Sequence, residues 1–147
     1  LEFWIVAGGI NGGGGGVVNT DKYLYSTNAR TPNTNLGFGR GYFAGSSNGV
    51  FGIFGGGNNG VITTDYTDKY TFSGESIAIG TVLAFARTYM GASGNNLFCL
   101  FRGGVDGILF SYSDKYTYSG DVVVSTTVLA ENTRNLFGCS PNENGLT

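Results

Sequence analysis

The chain has 147 residues, of which 27 are glycine, 41% are hydrophobic and 12% are charged, with a net charge of −2 and a pI near 4.9. That length suits one domain, or a set of units sharing one core. It carries no cluster of Lys and Arg for phosphate contacts, which argues against nucleic acid as a partner, and no apolar run near the ~18 residues of a membrane span.

Glycine is far above its usual ~7%. Eleven Phe, nine Tyr and one Trp set the sequence apart from a disordered chain, which is aromatic-poor and charge-rich. Glycine with aromatics, Thr, Val and Ile reads as short strands joined by tight turns. No segment has a helical period. In chain order, "FWIVAGG" at 3–9 is an apolar run ending in glycines, a first strand. "GGINGGGGGVV" at 8–18 contains G-x-G-x-x-G, but no helix follows and no Walker lysine is present, so it reads as a flexible loop. "NTDKYLYS" at 19–26 is a second strand. "NARTPNTNLG" at 28–37 reads as a loop, and "RGYFAGS" at 40–46 as a further strand.

The same order then returns twice. The glycine pair recurs in "FGIFGGG" and "FCLFRGG", and the second strand in "YTDKYTFS" at 66–73 and "YSDKYTYS" at 112–119. Third extended segments are "IAIGTVLA" at 77–84 and "VVVSTTVLA" at 122–130. The fourth strand returns in "RTYMGAS" at 87–93 and "RNLFGCS" at 134–140. Tyr23, Tyr70 and Tyr116 are spaced 47 and 46 residues apart, so the chain divides into three units, 1–50, 51–97 and 98–147. Hairpin-type "NG" turns stand at 11–12, 48–49, 59–60 and 144–145.

Strand alternation places Tyr66, Asp68, Tyr70 and Phe72 on one face and Thr67, Lys69 and Thr71 on the other. The repeated skeleton is therefore Asp21, Tyr23 and Arg40, then Asp68, Tyr70 and Arg87, then Asp114, Tyr116 and Arg134. Each aspartate is expected to accept from backbone or from a repeated arginine, a buried pair that fixes register. Lys22, Lys69 and Lys115 are expected at a solvated or edge surface. Cys99 and Cys139 replace small residues of the other units and read as buried small hydrophobes.

The order R-x-x-x-small, apolar strand, Gly-Gly, then Tyr a dozen residues on resembles the kelch repeat. More closely, "DKYTFSGE" at 68–75 and "DKYTYSGD" at 114–121 resemble the kelch-like repeats of tailed-phage and bacterial proteins, including cyanobacterial ones. All three units share the resemblance. The chain departs from animal kelch proteins in lacking the later Trp, since its one Trp is Trp4 on strand one. The resemblance implies an all-β propeller of four-stranded antiparallel units and does not imply an enzyme.

Propellers close with ~4–8 blades, so three units are expected to form half of a six-bladed ring or a segment of a longer array. A homo-oligomer would complete either one. A β-trefoil or β-prism is the alternative that needs no second chain. No Met opens the sequence and no signal-peptide pattern follows, which reads as a processed product or a piece of a longer chain.

With no histidine, Ser-His-Asp and Cys-His catalysis are excluded. Two cysteines 40 residues apart are no metal pattern, and no acid pair stands out from the skeleton, so neither cofactor nor catalytic residue is expected. The function expected is non-catalytic: a binding module for glycans or cell surfaces on a phage particle or bacterial surface. The alternative is a purely architectural virion or filament subunit. Candidate ligand-binding residues are Asn11, Asn58, Asn59 and Asp106, in the variable loops after strand one. Each of these is also an ordinary turn residue.

Overall fold

A computed structural model describes residues 3–126 and Glu131. Three antiparallel sheets follow one another along the chain. Sheet one holds β1 (Phe3–Ala7), β2 (Thr20–Leu24) and β3 (Ala29–Asn33), in that order. Sheet two holds β4 (Ala44–Ser47), β5 (Phe51–Gly55), β6 (Thr67–Thr71) and β7 (Ser76–Ile79). Sheet three holds β8 (Gly91–Gly94), β9 (Phe98–Arg102), β12 (Ser113–Thr117) and β13 (Val122–Ser125). A ribbon of β10 (Val105–Asp106) and β11 (Ile108–Leu109) rises between β9 and β12.

Each four-stranded sheet draws on two sequence units. β4, from the end of the first unit, pairs with β5 of the second, and β8 pairs with β9 of the third. Two expectations from the sequence are corrected. The segment expected as a loop at 28–37 contains β3, which pairs with β2 from Thr20↔Asn33 to Leu24↔Ala29. Its Pro32 is tolerated because β3 is an edge strand, where a missing N–H faces no ladder. The third strand of unit two ends at Ile79, short of the expected residue 84, and Gly80 to Ala84 lie outside it.

The repeated lysines are a further correction. Lys69 lies over the Phe51 ring, 4.4 Å from its centroid, and donates to the carbonyl of Tyr118 in sheet three at 2.6 Å. Lys22 lies over the Phe3 ring and donates to Glu75 in sheet two. The lysine face of β2 and of β6 packs toward the next sheet, so it carries bridges between sheets.

The core is formed by Ile53, Leu83, Met90, Cys99, Phe101, Tyr116 and Tyr118. Tight turns hold the sheets. Asn48 Oδ1 accepts the N–H groups of Val50 and Phe51 between β4 and β5, and Asn95 Oδ1 those of Leu97 and Phe98 between β8 and β9.

Cys99 is a fully buried free thiol, as expected for a small hydrophobe, while Cys139 lies outside the described residues. Burial pushes its pKa up to about 12 and also raises that of Tyr118. A raised folded-state value stabilises below the ordinary thiol value of 9.0, and that stability is lost as pH rises toward 12. Thermal melts between pH 8 and 11 should therefore show falling stability, with a shallower fall in Cys99→Ala. An equal slope in both would show that the thiol does not contribute.

Candidate functional site

The skeleton residues come together between sheets. Arg40 leaves the segment after sheet one and enters sheet two. Its Nη1 is 2.6 Å from Asp68 Oδ2, its Nε donates to the carbonyl of Gly56 at 2.7 Å and its Nη2 to that of Phe54 at 3.0 Å. Arg87 enters sheet three in the same way, with Nη2 2.7 Å from Asp114 Oδ2 and donations to the carbonyls of Phe101 and Tyr112. Both guanidinium groups are wholly buried. The backbone carbonyls of the same arginines face back and accept the N–H groups of Gly9 and Gly57. Each arginine thus stitches one sheet to the next, and the pair it makes is with the aspartate of the following unit.

These charges are structural. Desolvation lowers the Arg87 pKa and raises that of Asp114, and the ion pair opposes both shifts. Asp68 and Asp114 are closed inside separate pairs, so they do not form an acid–base couple. Of the repeated tyrosines, Tyr70 OH accepts from Asn33 Nδ2 at 2.8 Å, Tyr23 OH donates to Asn28, and Tyr116 OH is buried with no partner among the described residues. Arg134 lies outside the described residues.

One end of the sheets carries the candidate loops. Gly16 donates to the carbonyl of Asn59, which joins the β1–β2 loop holding Asn11 to the β5–β6 loop holding Asn58 and Asn59. Asp106 lies exposed on the equivalent ribbon of sheet three. The carboxamide oxygens of the three asparagines serve their own loops. Asn11 Oδ1 accepts from Gly13 and Gly15, Asn58 Oδ1 from Gly60, and Asn59 Oδ1 from Val61 and Ile62.

What these turns raise into solvent is apolar. Val61 and Ile62, with their repeat equivalents Ile108 and Leu109, are exposed tips.

The same end holds a feature the sequence did not reveal. Tyr42 and Tyr89 occupy equivalent positions two residues after the stitching arginines, with φ of 57° and 54°. Bulky residues in the left-handed region are strained by ~1–3 kcal/mol. Their rings are 4.8 Å apart, both are exposed, and Tyr89 N–H donates to the Tyr42 carbonyl at 3.0 Å. The preceding residues tie them to the loops, Gly41 bridging to Asn58 and Thr88 to Val105.

Separate antiparallel sheets of three or four strands, each stitched to its neighbour, define a β-propeller-type all-β fold that is not closed among the described residues. The β-trefoil and β-prism alternatives are thereby set aside. No family model matches the chain, and no curated protein does. A solved structure titled "Structure of YjhT" is similar in fold, with a TM-score of 0.73 at 10% identity. The likeness covers 88% of this chain and 50% of that one, so this chain spans about half the length of the structure it matches. No helix among the described residues is long and apolar enough to cross a membrane.

Proposed function

We propose that the protein is a non-catalytic binding module that presents the Tyr42–Tyr89 pair and its surrounding loops to a carbohydrate or glycosylated cell surface. The observation that carries this reading is two exposed tyrosines at equivalent repeat positions, both held in strained backbone. Strain at a bulky exposed residue persists only where the surroundings impose it, and such positions concentrate at binding sites. A ring pair offers a flat apolar face with polar hydroxyls at its rim, which suits the mixed surface of a sugar. The loops of Asn58 and Asp106 adjoin it, since Gly41 bridges to Asn58 and Thr88 to Val105. Display on a phage particle or bacterial surface follows from the resemblance of the "DKYTYSGD" repeats.

The test is a broad glycan array with free-sugar competition, followed by Tyr42→Gly and Tyr89→Gly on any ligand found. Glycine relieves the left-handed strain, so the melting temperature should stay within a few degrees of the parent. Affinity should fall roughly tenfold, about 1.4 kcal/mol. A blank array, or binding that survives both substitutions, removes this reading.

The second reading is an architectural virion or filament subunit. The outer edge of β1, which no strand among the described residues covers, favours it, because open strand edges recruit other chains.

A further inference from the structure

Sheet one differs from its neighbours in a specific way. In sheets two and three an inner strand, β4 or β8, lies along β5 or β9, and an arginine four residues ahead of it enters the sheet. β1 has no such strand on its outer edge among the described residues.

Four observations mark the vacant position. Trp4 and Val6 on β1 are 60% and 57% exposed, where the matching strands β5 and β9 are largely covered. A cleft of about 380 Å³ lies between β1 and β4, walled by Phe3, Trp4, Ile5 and Val6 on one side and Gly45 to Ser47 on the other. β4 and β8 are neighbours, so an inner strand of sheet one would lie beside β4, in that cleft. Asp21 occupies the position of Asp68 and Asp114, yet its side chain is 22% exposed and its ion pair among the described residues is with Arg30 Nε from its own sheet, whose side chain is 71% exposed.

We propose that this edge accepts residues 134–140 of a second copy of the chain, with Arg134 entering sheet one to pair with Asp21. The occupant is named by the repeat. "RNLFGCS" aligns without a gap with "RGYFAGS" and "RTYMGAS", sharing the arginine, two small residues at the fifth and sixth positions and the serine. The Arg40 contacts map onto sheet one as the Asp21 carboxylate with the carbonyls of Val6 and Gly8, the counterparts of Asp68, Phe54 and Gly56. The β4–β5 register, Ala44↔Gly55 and Gly45↔Phe54, maps onto Gly138↔Ala7 and Cys139↔Val6.

Three sheets also match half of a propeller-type chain, so two copies would supply about six blades, within the ~4–8 that close a ring. Each copy would then give its strand to the other, with Arg134 contributed by the partner completing a site that is otherwise half-built. This goes beyond the glycan-binding reading and does not depend on it.

The register makes a covalent test possible. Directly opposed antiparallel residues are ~4.5–5.5 Å apart at Cα, within disulfide range. Val6→Cys in the full chain, mildly oxidised, should form a disulfide with the native Cys139 of a second copy. The expected readout is a dimer mass that collapses on reduction, and a cross-linked peptide joining positions 6 and 139. Val6→Cys with Cys139→Ser should not cross-link, and buried Cys99 should remain reduced.

Charge exchange gives an independent readout by sedimentation velocity. Asp21→Arg alone, or Arg134→Asp alone, should raise the dimer dissociation constant at least tenfold, and the combined variant should recover most of it. A monomer at all concentrations with no cross-link overturns the proposal. So does a 6–139 disulfide formed within one chain, or a dimer indifferent to both charge variants. A blank glycan array with an intact 6–139 link would remove the binding function and leave this interface standing.

Discussion

Replacing Arg87 with Met is expected to lower the unfolding free energy by about 3–5 kcal/mol, because it leaves Asp114 buried and unpaired. At this chain size that is a fall of roughly 10 °C in melting temperature. Both side chains are wholly buried, and Arg87 also satisfies the carbonyls of Phe101 and Tyr112. The pH dependence has a definite sign. Burial already raises the Asp114 pKa above the ordinary carboxylate value of 3.8, and Arg87 holds it down. Without the arginine the carboxyl rises further, so the native state takes up a proton that the unfolded chain does not hold. The deficit should therefore shrink as pH falls through the folded-state pKa.

Replacing the pair together, Arg87→Met with Asp114→Leu, should recover much of the loss, since neither charge is then stranded. Arg30→Met, at an exposed pair with Asp21, should change stability little. Chemical denaturation of the parent and the three variants at pH 7 and pH 5 checks all of this. Equal losses for Arg87→Met and Arg30→Met would contradict the stitching role.

Gly56→Ala is expected to cost about 3 kcal/mol. The glycine pair ends the first strand of each unit, and its first member has φ of 61°, 68° and 61° at Gly8, Gly56 and Gly103. A side chain in that region costs ~1–3 kcal/mol by backbone strain alone. The space is also filled, since an added Cβ at Gly56 would stand 2.0 Å from Met90 Cε and 2.6 Å from the Arg87 carbonyl oxygen. Met90 can move aside, whereas the carbonyl is fixed by accepting the Gly57 N–H, so overpacking adds to the strain. Gly12→Ala, in open space within the β1–β2 loop, is the control and should be near neutral. The comparison is made by urea denaturation with an unchanged m-value. Near-equal midpoints for the two variants would mean that the corner relaxes at little cost.

The repeat, its period, its all-β character and the pairing of its arginines with its aspartates were legible in the sequence. They rest on local identities that recur: Gly-Gly, Asp-Lys-Tyr and Arg followed by small residues. The sequence alone could not say which aspartate each arginine meets. The answer, Arg40 with Asp68 and Arg87 with Asp114, depends on chain connectivity, because the segment carrying each arginine crosses to the next sheet. Alternation also suggested a solvated or edge surface for Lys22 and Lys69, whereas each lies over a ring of its own sheet and bridges to the next. β3 was hidden because Pro32 and the polar run around it read as loop, yet pairing with β2 holds it extended.

The candidate site divides the same way. Asn11, Asn58, Asn59 and Asp106 could be found as loop residues of one repeat position, and the structure brings the three asparagines to one end, where their side-chain oxygens hold their own turns. Tyr42 and Tyr89 could not be found, because nothing in "RGYFAGS" or "RTYMGAS" shows that the tyrosine sits at positive φ with its ring outward. A backbone conformation of that kind is imposed by the two sheets it joins. Local sequence thus determined what each unit is made of, and only the packing of one unit against the next decided which groups are buried, paired or offered to a partner.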